Sequence, residues 1–519
     1  MSDHPEELPS IAAEIPHGVF PVPSGSITHE EAARIIFPVI AEKKRVFLRD
    51  FSIYEVIETT SEGAKLRMME AERLVATLTQ YGHTVRRREE KPDGNLIWRK
   101  TNFPKEHAKT ILQTDAARYY LPVISRVISA PVISQDEDGR PVILQKGYHH
   151  HGGGTLITKG KPIPDMPLGE AVQLLKSLLA DFNFCTPADG SRAMASFISP
   201  ALKFGDLLNC DFPIDFAEAD QSQSGKTYRQ KIVCAIYGEI PSVITEARGG
   251  VGSLDESISA ALIDGKPFIT IDNLRSRLDS TILETAVRGH GTVTARALRT
   301  STTIETRHYL WQISTNGAEL TRDAANRCIV TKITKRPSDA RYRVFPEGDL
   351  LQHVKANQHL YLGAVFAVVR DWIHQGKPKS GESRHDFRDW VQSLDWIVTE
   401  IIGMPPIMDG HQEEQMRTAN PQLQWLRLAA IEAVKVRPNE ELSAMHLAEI
   451  CDDADIPLPI RRGSKEEPFM TIGKIMRKIF TDAQAEQVVI ESIKVTRIEK
   501  EALAENGNWK PLKFYHFTR

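Results

Sequence analysis

The sequence predicts an α/β fold with a largely parallel central sheet. From about residue 205 to 335, short apolar runs typical of strands alternate with segments of helical periodicity. Such alternation is characteristic of parallel sheets with helical crossovers. A Gly-Lys-Thr triplet opens one of the helical segments, and the apolar run at 267–271 ends in the acid Asp272. Both features are typical of a sheet that binds a ligand at the carboxyl ends of its strands.

The regions on either side of this core have different patterns. Residues before 166 mix short helical and strand patterns, which predicts a small α+β domain. A proline-containing stretch, 404–421, is expected to be a linker. The predicted domains are an N-terminal α+β domain (1–165), an α/β core (166–350), a helical lid and linker (351–415) and a C-terminal winged helix (416–519). The strand-like runs of the core lie at 232–237, 268–271 and 309–314.

Composition excludes several classes of protein. Of 519 residues, 41% are hydrophobic and 26% charged, which excludes disorder over most of the chain. The formal net charge is -3, so nucleic-acid binding would need local basic patches. Five scattered cysteines without a Cys-x-x-Cys pair fit a reducing compartment. Because no signal-type or membrane-spanning apolar stretch is found, we expect a cytoplasmic protein with no membrane partner.

The segment from Asp220 to Thr227 has the spacing of a phosphate-binding P-loop, although its first glycine is replaced by Asp220. Phosphate oxygens need backbone N–H donors at a helix N-terminus, a cation, and a hydroxyl that can bind Mg²⁺. Lys226 supplies the cation and Thr227 the hydroxyl, while Gly225 permits close approach of the backbone. The pattern predicts binding of ATP and Mg²⁺ by Ser222, Gln223, Ser224, Gly225, Lys226, Thr227 and Tyr228.

Two later strand ends carry polar side chains suited to the same site. Asp272 is predicted to reach Mg²⁺ together with Thr227, directly or through water. Asn316 follows another apolar run and could orient the attacking water. Arg322 and Arg327 come shortly afterwards, where an arginine could reach the γ-phosphate bound by a neighbouring subunit. Together these residues predict a nucleotide hydrolase.

The ordered set resembles AAA+-type ATPases, specifically the helicase-like replication proteins of phages and mobile elements, near the superfamily 3 and MCM helicases. The resemblance covers roughly residues 120–400 and implies a ring, commonly a hexamer, with an arginine donated in trans. Arg327 matches the family position of that arginine, and Arg322 is the alternative. It also implies an AAA+ layout for the core. The residues that carry it are the triplet at 225–227 and the segments 254–256, 271–274, 315–317, 323–327 and 387–391.

One departure from the family concerns the catalytic base. Many AAA+ enzymes carry a glutamate after the strand-ending aspartate, whereas this chain has Asn273, which cannot act as a base. Glu256 and Glu246 are the alternative candidates. If neither reaches the site, turnover is slow or the protein is a nucleotide-gated switch.

Two basic segments are candidates for contact with DNA. Residues 291–302 predict a β-hairpin carrying Arg296 and Arg299; in the resembled helicases, a hairpin in this interval touches DNA phosphates. A surface hairpin or an inter-subunit contact fits equally well, and Arg296 could face the nucleotide instead. The predicted winged helix carries Lys474, Arg477 and Lys478 on its third helix, a pattern that suits the phosphate backbone. Winged helices also serve as protein contacts.

Together with the resemblance, these residues predict ATP-driven DNA unwinding or translocation by a ring, on single-stranded or forked DNA. A nucleotide-gated initiator or loader is one alternative. A protein-remodelling or defence ATPase without DNA unwinding is the other.

Overall fold

A computed structural model of the chain describes residues 15–50, 52–81, 83–219, 224–245, 253–274, 278, 280–288, 291–297, 300–315, 320–337, 341–454, 456, 458–459, 467–482, 486–490, 493–503 and 509–518. These residues divide into two compact units. The first is drawn from residues 1–275, 280–316 and 327–409, and the second from 276–279, 317–326 and 410–519. Parallel and antiparallel sheets both occur with helices, which confirms a mixed α/β fold.

The N-terminal part of the first unit contains three small sheets, in the orders β1-β5-β6, β2-β3-β4 and β10-β11-β7, and a two-stranded pair, β8-β9. Helix α1 begins at a capping box formed by Thr28 and Glu31, and its buried face packs into a core with Phe20, Leu74 and Val85. The elements are β1 (Val19–Pro21), α1 (His29–Glu42), β2 (Val46–Arg49), β3 (Ser52–Thr59), β4 (Gly63–Met68), α2 (Ala71–Leu78), β5 (Thr84–Glu90), β6 (Leu96–Lys100), α3 (Lys105–Ile111), α4 (Asp115–Tyr120), β7 (Arg126–Ile128), β8 (Val132–Gln135), β9 (Pro141–Leu144), β10 (Gly147–His149) and β11 (Thr155–Ile157).

The core of the first unit is a six-stranded sheet in the order β12-β19-β13-β18-β15-β14. Five of its strands are parallel, and β12 pairs antiparallel with β19. The elements are α5 (Leu168–Leu179), β12 (Asn183–Phe184), α6 (Pro187–Phe204), β13 (Ile214–Ala219), α7 (Lys226–Ile236), β14 (Ser242–Thr245), α8 (Leu254–Asp264), β15 (Phe268–Leu274), α9 (Thr281–Val287), β16 (Thr292–Ala297), β17 (Thr300–Glu305), β18 (Leu310–Thr315), α10 (Arg322–Asn326, in the second unit) and β19 (Cys328–Thr334).

The strand order of this sheet fixes where a ligand can bind. The chain leaves β13 toward one edge of the sheet, returns through β15 and β18, and then crosses to β19 on the other side of β13. The order therefore reverses between β13 and β18, and a crevice opens there at the carboxyl ends of the strands. Helix α7 begins directly after β13, so its N-terminus lies at this crevice.

The first unit ends with helices that follow the sheet. Long α12 carries buried residues along most of its length and packs against α5, α6 and α7. The buried Trp372 donates a hydrogen bond from its indole nitrogen to the carbonyl of Pro378 at 2.9 Å, which satisfies the polar atom of that ring. The elements are α11 (Leu350–Ala356), α12 (Gln358–His374) and α13 (Arg388–Trp396), followed by a π-helical turn (Ile397–Ile401).

The second unit combines helices with a four-stranded antiparallel sheet in the order β20-β23-β22-β21. A separate apolar core, which includes Trp425, Leu447, Ile472 and Tyr515, holds them together. The elements are α14 (His411–Ala419), α15 (Pro421–Val436), β20 (Glu441–Leu442), α16 (Ala444–Asp453), α17 (Pro468–Asp482), β21 (Gln487–Ile490), β22 (Ile493–Leu503) and β23 (Trp509–Thr518).

Several sequence-based predictions are corrected by these elements. Residues 232–237, predicted as a strand, belong to helix α7, whose buried Ile232, Val233 and Ile236 recur at helical spacing. Helix α14 lies within the stretch 404–421 that was expected to be a linker.

The predicted hairpin is confirmed as the antiparallel pair β16–β17. Among the described residues, no helix is long and apolar enough to cross a membrane.

Candidate nucleotide site

The start of helix α7 is shaped by Gly225 and Lys226. Gly225 has a φ of 97°, a left-handed conformation that favours glycine, and a Cβ there would lie 3.2 Å from the ring of Phe182. Lys226 follows as the first helical residue and is only 7% exposed. Burial lowers the pKa of Lys226, while the carboxylate of Asp272 acts in the opposite direction. The predicted cation is therefore held at a helix N-terminus, close to the predicted acid.

Three side chains from three elements form a polar cluster next to this lysine. The hydroxyl of Thr227 lies 2.9 Å from Oδ1 of Asp272 and 3.1 Å from Oγ of Ser314. The Ser314 hydroxyl donates to the same Asp272 oxygen at 2.6 Å. It also accepts a hydrogen bond from the backbone N–H of Asn273 at 2.9 Å. Helix α7 and strands β15 and β18 thus meet at one carboxylate oxygen.

This cluster fits a magnesium ion. Mg²⁺ prefers oxygen ligands such as carboxylates, hydroxyls, phosphates and water. The Thr227 hydroxyl and the Asp272 carboxylate, hydrogen-bonded to each other at 2.9 Å, supply two such oxygens at one place. The described residues contain no cluster of three or more His, Cys, Asp or Glu side chains that could hold a metal ion. In sites with one or two protein ligands, substrate phosphates and water usually complete the shell of this ion.

A cavity of about 480 Å³ opens beside the N-terminus of α7. Aromatic rings line part of it, with the ring centroids of Phe182 and Tyr228 6.4 Å apart. The backbone N–H of Leu351 donates to the Tyr228 hydroxyl at 2.8 Å, which fixes this ring against α11. A cavity with mostly apolar walls and polar groups at one end suits a base and its attached phosphates. Its walls are formed by Asp181, Phe182, Ser224, Gly225, Lys226, Thr227, Tyr228, Tyr342, Arg343, Asp349 and Leu350.

An ion pair and a hydrogen bond made by Arg343 fix one wall of the cavity. Arg343 donates from Nε to a carboxylate oxygen of Asp181 at 2.9 Å and from Nη2 to the carbonyl of Ser177 at 2.7 Å. The loop that carries Arg343 and Tyr342 is thereby attached to the end of α5. Tyr342 remains 63% exposed, so its ring could be covered further by a ligand or by another protein surface.

Among the predicted bases and the predicted water-orienting residue, the structure describes only Glu256. Glu256 lies in the first turn of α8 with an exposed side chain, and its backbone N–H donates to Ser253. Among the described residues, the cluster around Asp272 does not include Glu256. Asn273 has a φ of 58°, which asparagine tolerates better than most residues. Glu246 and Asn316 lie outside the described residues, as do Ser222 and Gln223 of the predicted P-loop.

The two candidate arginines differ in exposure. Arg327 directly precedes β19, so it lies at the amino end of the sheet, whereas the P-loop lies at the carboxyl end. Six residues of strand separate these ends, which is a distance of about 16–20 Å. Arg327 is 8% exposed, and its Nη1 lies 3.4 Å from a carboxylate oxygen of Glu284. Arg322 begins α10 in the second unit and is exposed.

The predicted DNA contacts lie on exposed surfaces. Arg296 is exposed on strand β16, while Arg299 lies outside the described residues. On α17, Lys474, Arg477 and Lys478 are all exposed, and the opposite face of the helix is buried. The basic stripe that the helical spacing predicts is therefore present on the surface of the second unit.

Sequence reasoning missed Ser314 and most of the cavity wall. Ser314 is fully buried two positions before the predicted Asn316, in a run that looks like an ordinary core strand. Phe182 and Arg343 lie far from the triplet in sequence, and only the fold brings them to it. The polar residue within an apolar strand was the one available signal for Ser314.

No protein-family model matches the chain, and no curated protein matches it. Among solved structures, the chain is similar to one described as SCCmec type IV Cch, an active helicase, at 10% identity over 90% of each chain, with a TM-score of 0.29. It is also similar to a JCV helicase bound to a small molecule, at 10% identity over 48% of this chain and 71% of that one, with a TM-score of 0.23. At such low TM-scores neither similarity carries an argument about this chain.

Proposed function

We propose that this chain is a magnesium-dependent ATP hydrolase of the P-loop class. One observation carries the proposal. The hydroxyls of Thr227 and Ser314 both bond one carboxylate oxygen of Asp272, next to the buried Lys226. A hydroxyl, a carboxylate and an ammonium group at a helix N-terminus form the donor set that a nucleoside triphosphate with Mg²⁺ requires. The adjacent cavity has room and aromatic walls for the base.

The side chains of the proposed site have distinct parts in the reaction. Lys226 and the backbone N–H groups at the start of α7 would bind the β- and γ-phosphates and offset the charge that develops during transfer. Thr227 and Asp272 would hold Mg²⁺, which supplies charge neutralisation on the phosphates when bound. Asn316 is the proposed residue that orients the attacking water. Glu256 or Glu246 is the proposed base.

We further propose that hydrolysis drives movement along DNA, as a helicase or translocase of a phage or mobile element. Exposed cations on β16 and on α17 support contact with phosphates. A ring, such as a hexamer, would let an arginine from one subunit reach the nucleotide of the next. Arg327 and Arg322 are the proposed donors, and of these Arg322 is the exposed one.

A nucleotide-gated DNA-binding switch is the second candidate function. It is favoured by one specific observation: Asn273 stands beside Asp272, and the described alternative base, Glu256, has an exposed side chain outside the polar cluster. Such a protein would bind ATP and change its affinity for DNA, with slow turnover. Tight ATP binding with turnover that DNA does not stimulate would favour it over the translocase.

The ATPase proposal is tested by removing the cation. Lys226→Ala should abolish ATP hydrolysis and weaken ATP binding, because no other side chain of the described P-loop residues is cationic. Lys266→Ala is the matched control, since Lys266 is also only 7% exposed but precedes β15 at the amino end of the sheet. Hydrolysis and binding are measured on purified protein with and without Mg²⁺. Turnover at the wild-type rate in Lys226→Ala would refute the site.

A further inference from the structure

A short antiparallel ribbon in the N-terminal part of the chain concentrates positive charge. Strands β5 and β6 pair from Arg86 opposite Lys100 out to Glu90 opposite Leu96. The neighbouring strand β1 pairs with β5 only as far as Arg86, and beyond that residue no other described strand pairs with the ribbon. Residues 84–101 contain six basic and three acidic side chains, a net charge of +3, whereas the whole chain carries -3.

The arrangement of these cations works against the local stability of the ribbon. Arg86 lies directly opposite Lys100, and Arg87 lies directly opposite Arg99. Side chains directly opposite each other have Cβ atoms about 4.5–5.5 Å apart, and like charges in such pairs are destabilising. Neither Arg87 nor Lys100 makes an ion pair with another described residue. Arg99 lies 3.3 Å from a carboxylate oxygen of Glu89, which offsets part of this repulsion, and an anionic partner would relieve the rest.

The two pairs lie on opposite faces of the ribbon, because successive side chains of a strand alternate between faces. One face therefore presents Arg86 with Lys100, and the other presents Arg87 with Arg99. A two-stranded ribbon fits the major groove of duplex DNA, which is about 12 Å wide. Arg87, Arg99 and Lys100 are exposed and Arg86 is partly exposed, so cations on either face can meet phosphates.

The one aromatic side chain of the described ribbon packs against the protein's own core. Trp98 is half-buried and packs against the apolar core that contains Phe20 and Val85. Binding of single strands commonly uses aromatic rings that are open to stacking by bases. The ribbon therefore favours phosphate contact with a duplex over stacking with a single strand.

We propose that the β5–β6 ribbon is a further DNA-binding element, which contacts the phosphates of duplex DNA through cations on both of its faces. This inference rests on the proposed action of the chain on DNA, and it assigns a role to the N-terminal domain. The contact is sequence-independent, because backbone phosphates carry no direct sequence information. It would hold the duplex arm of a fork while the other basic surfaces engage DNA separately.

Two double variants of the full chain test the ribbon, Arg86→Gln with Lys100→Gln and Arg87→Gln with Arg99→Gln. Each should weaken binding to a blunt duplex and reduce the slope of log affinity against log salt by up to about two units, since each phosphate contact contributes about 0.9. The control, Lys43→Gln with Lys109→Gln, removes two exposed cations from the same domain. Binding is measured by fluorescence anisotropy on duplex, forked and single-stranded DNA. ATP hydrolysis without DNA should be unchanged in every variant.

The outcomes separate the ribbon from the proposed function. Ribbon variants that bind duplex like the control would overturn the inference, and so would a loss confined to single strands. If the triple variant Lys474→Glu, Arg477→Glu and Lys478→Glu then still loses affinity, action on DNA stands without the ribbon. A wild-type protein with no salt-dependent DNA affinity would overturn the proposed function itself. Folding is checked by thermal melting, in which loss of opposed like charges should leave the midpoint unchanged or raise it.

Discussion

The two ends of the six-stranded sheet both carry charged side chains, but in different surroundings. At the carboxyl end, Lys226 lines a cavity of about 480 Å³, and Asp272 is hydrogen-bonded to Thr227 of the same cavity wall. At the amino end, Glu239 and Arg327 are enclosed by partners from their own chain: Ser129 donates its backbone N–H and its hydroxyl to Glu239, and Arg327 lies beside Glu284. The difference separates the groups of the proposed nucleotide site from groups whose partners belong to the fold itself.

This comparison makes a general prediction about substitutions. A change at the carboxyl end should lower turnover while it leaves the fold stable, because a ligand site is not optimised for stability. A change at the amino end should lower stability while it leaves turnover per folded molecule intact. The proposed trans arginine is outside this rule, because it would act at the nucleotide site of a neighbouring subunit and not within its own subunit.

The largest effect in this comparison is expected for that arginine. Arg322→Ala should spare ATP binding but lower turnover by about 10³-fold, since an arginine supplied in trans stabilises charge in the transition state. A mixture of Arg322→Ala and Lys226→Ala subunits should recover part of the activity, because some interfaces then combine an intact lysine with an intact arginine. Hydrolysis by the mixture is compared with each variant alone, after co-assembly is verified by particle size.

The same mixture made with Arg327→Ala decides between the two arginines. Because Arg327 is nearly buried beside Glu284, its loss should mainly lower the melting temperature. Recovery of activity with Arg327→Ala and none with Arg322→Ala would make Arg327 the donor and require it to leave Glu284. No recovery in either mixture, despite co-assembly, would contradict donation in trans.

A smaller effect is expected at Ser314, which positions the acid. Ser314→Ala removes a hydrogen bond to Asp272 and leaves the N–H of Asn273 without its acceptor. A hydrogen bond to a charged group contributes about 1.5–3 kcal/mol, so turnover should fall about 10- to 100-fold. The concentration of Mg²⁺ needed for half-maximal activity should rise as well, which a purely structural role would not cause.

Thr331→Val is the matched control for Ser314. Thr331 is buried in β19 of the same sheet, and its hydroxyl has no hydrogen-bond partner among the described residues. Replacing it by a group of similar shape should be nearly neutral for stability and activity. An unchanged Mg²⁺ requirement in Ser314→Ala would show that the serine does not orient the magnesium ligands.

The sequence predicted the parts of this site that are local in the chain. The Gly-Lys-Thr triplet and the strand-ending Asp272 each combine a residue with its immediate neighbours, so the predicted meeting of Thr227 and Asp272 needs only a parallel sheet. Ser314 was not predicted, because its proximity to Asp272 depends on the pairing of β15 with β18. The run 232–237 was mistaken for a strand since short apolar runs fit a buried helix equally well.

The residues of the cavity wall could not be predicted from the sequence for a related reason, because only the fold brings them together. Phe182 reaches the triplet only because helix α5 ends at Leu179, which leaves residue 182 in the connection before β12. Arg343 reaches it through the ion pair with Asp181. The domain boundaries, the ring and the roles of Asn316, Glu256, Arg322 and Arg327 stay predictions.

The smallest effect is expected at the amino end, where Glu239 tests the structural half of the comparison. Burial raises the pKa of Glu239 to about 7, although hydrogen bonds from Ser129 act in the opposite direction. An acid with a higher pKa in the folded state than in the unfolded state holds its proton more tightly when folded. Its contribution to stability is therefore complete at low pH and is lost as the pH rises from about 4.5 through about 7.

Glu239→Gln keeps a neutral side chain of similar shape at every pH. The melting temperature of the wild type should therefore fall relative to this variant between pH 5 and pH 8, by a few degrees, since a shift of this size corresponds to at most roughly 3 kcal/mol. Glu170→Gln, an exposed change on α5, is the control and should follow the wild type. ATP turnover per folded molecule at fixed pH should be equal in all three proteins. Parallel melting curves for wild type and Glu239→Gln across this range would show that Glu239 is ionised in the folded state. A loss of turnover in Glu239→Gln without loss of stability would contradict the assignment of amino-end residues to stability and of carboxyl-end residues to turnover.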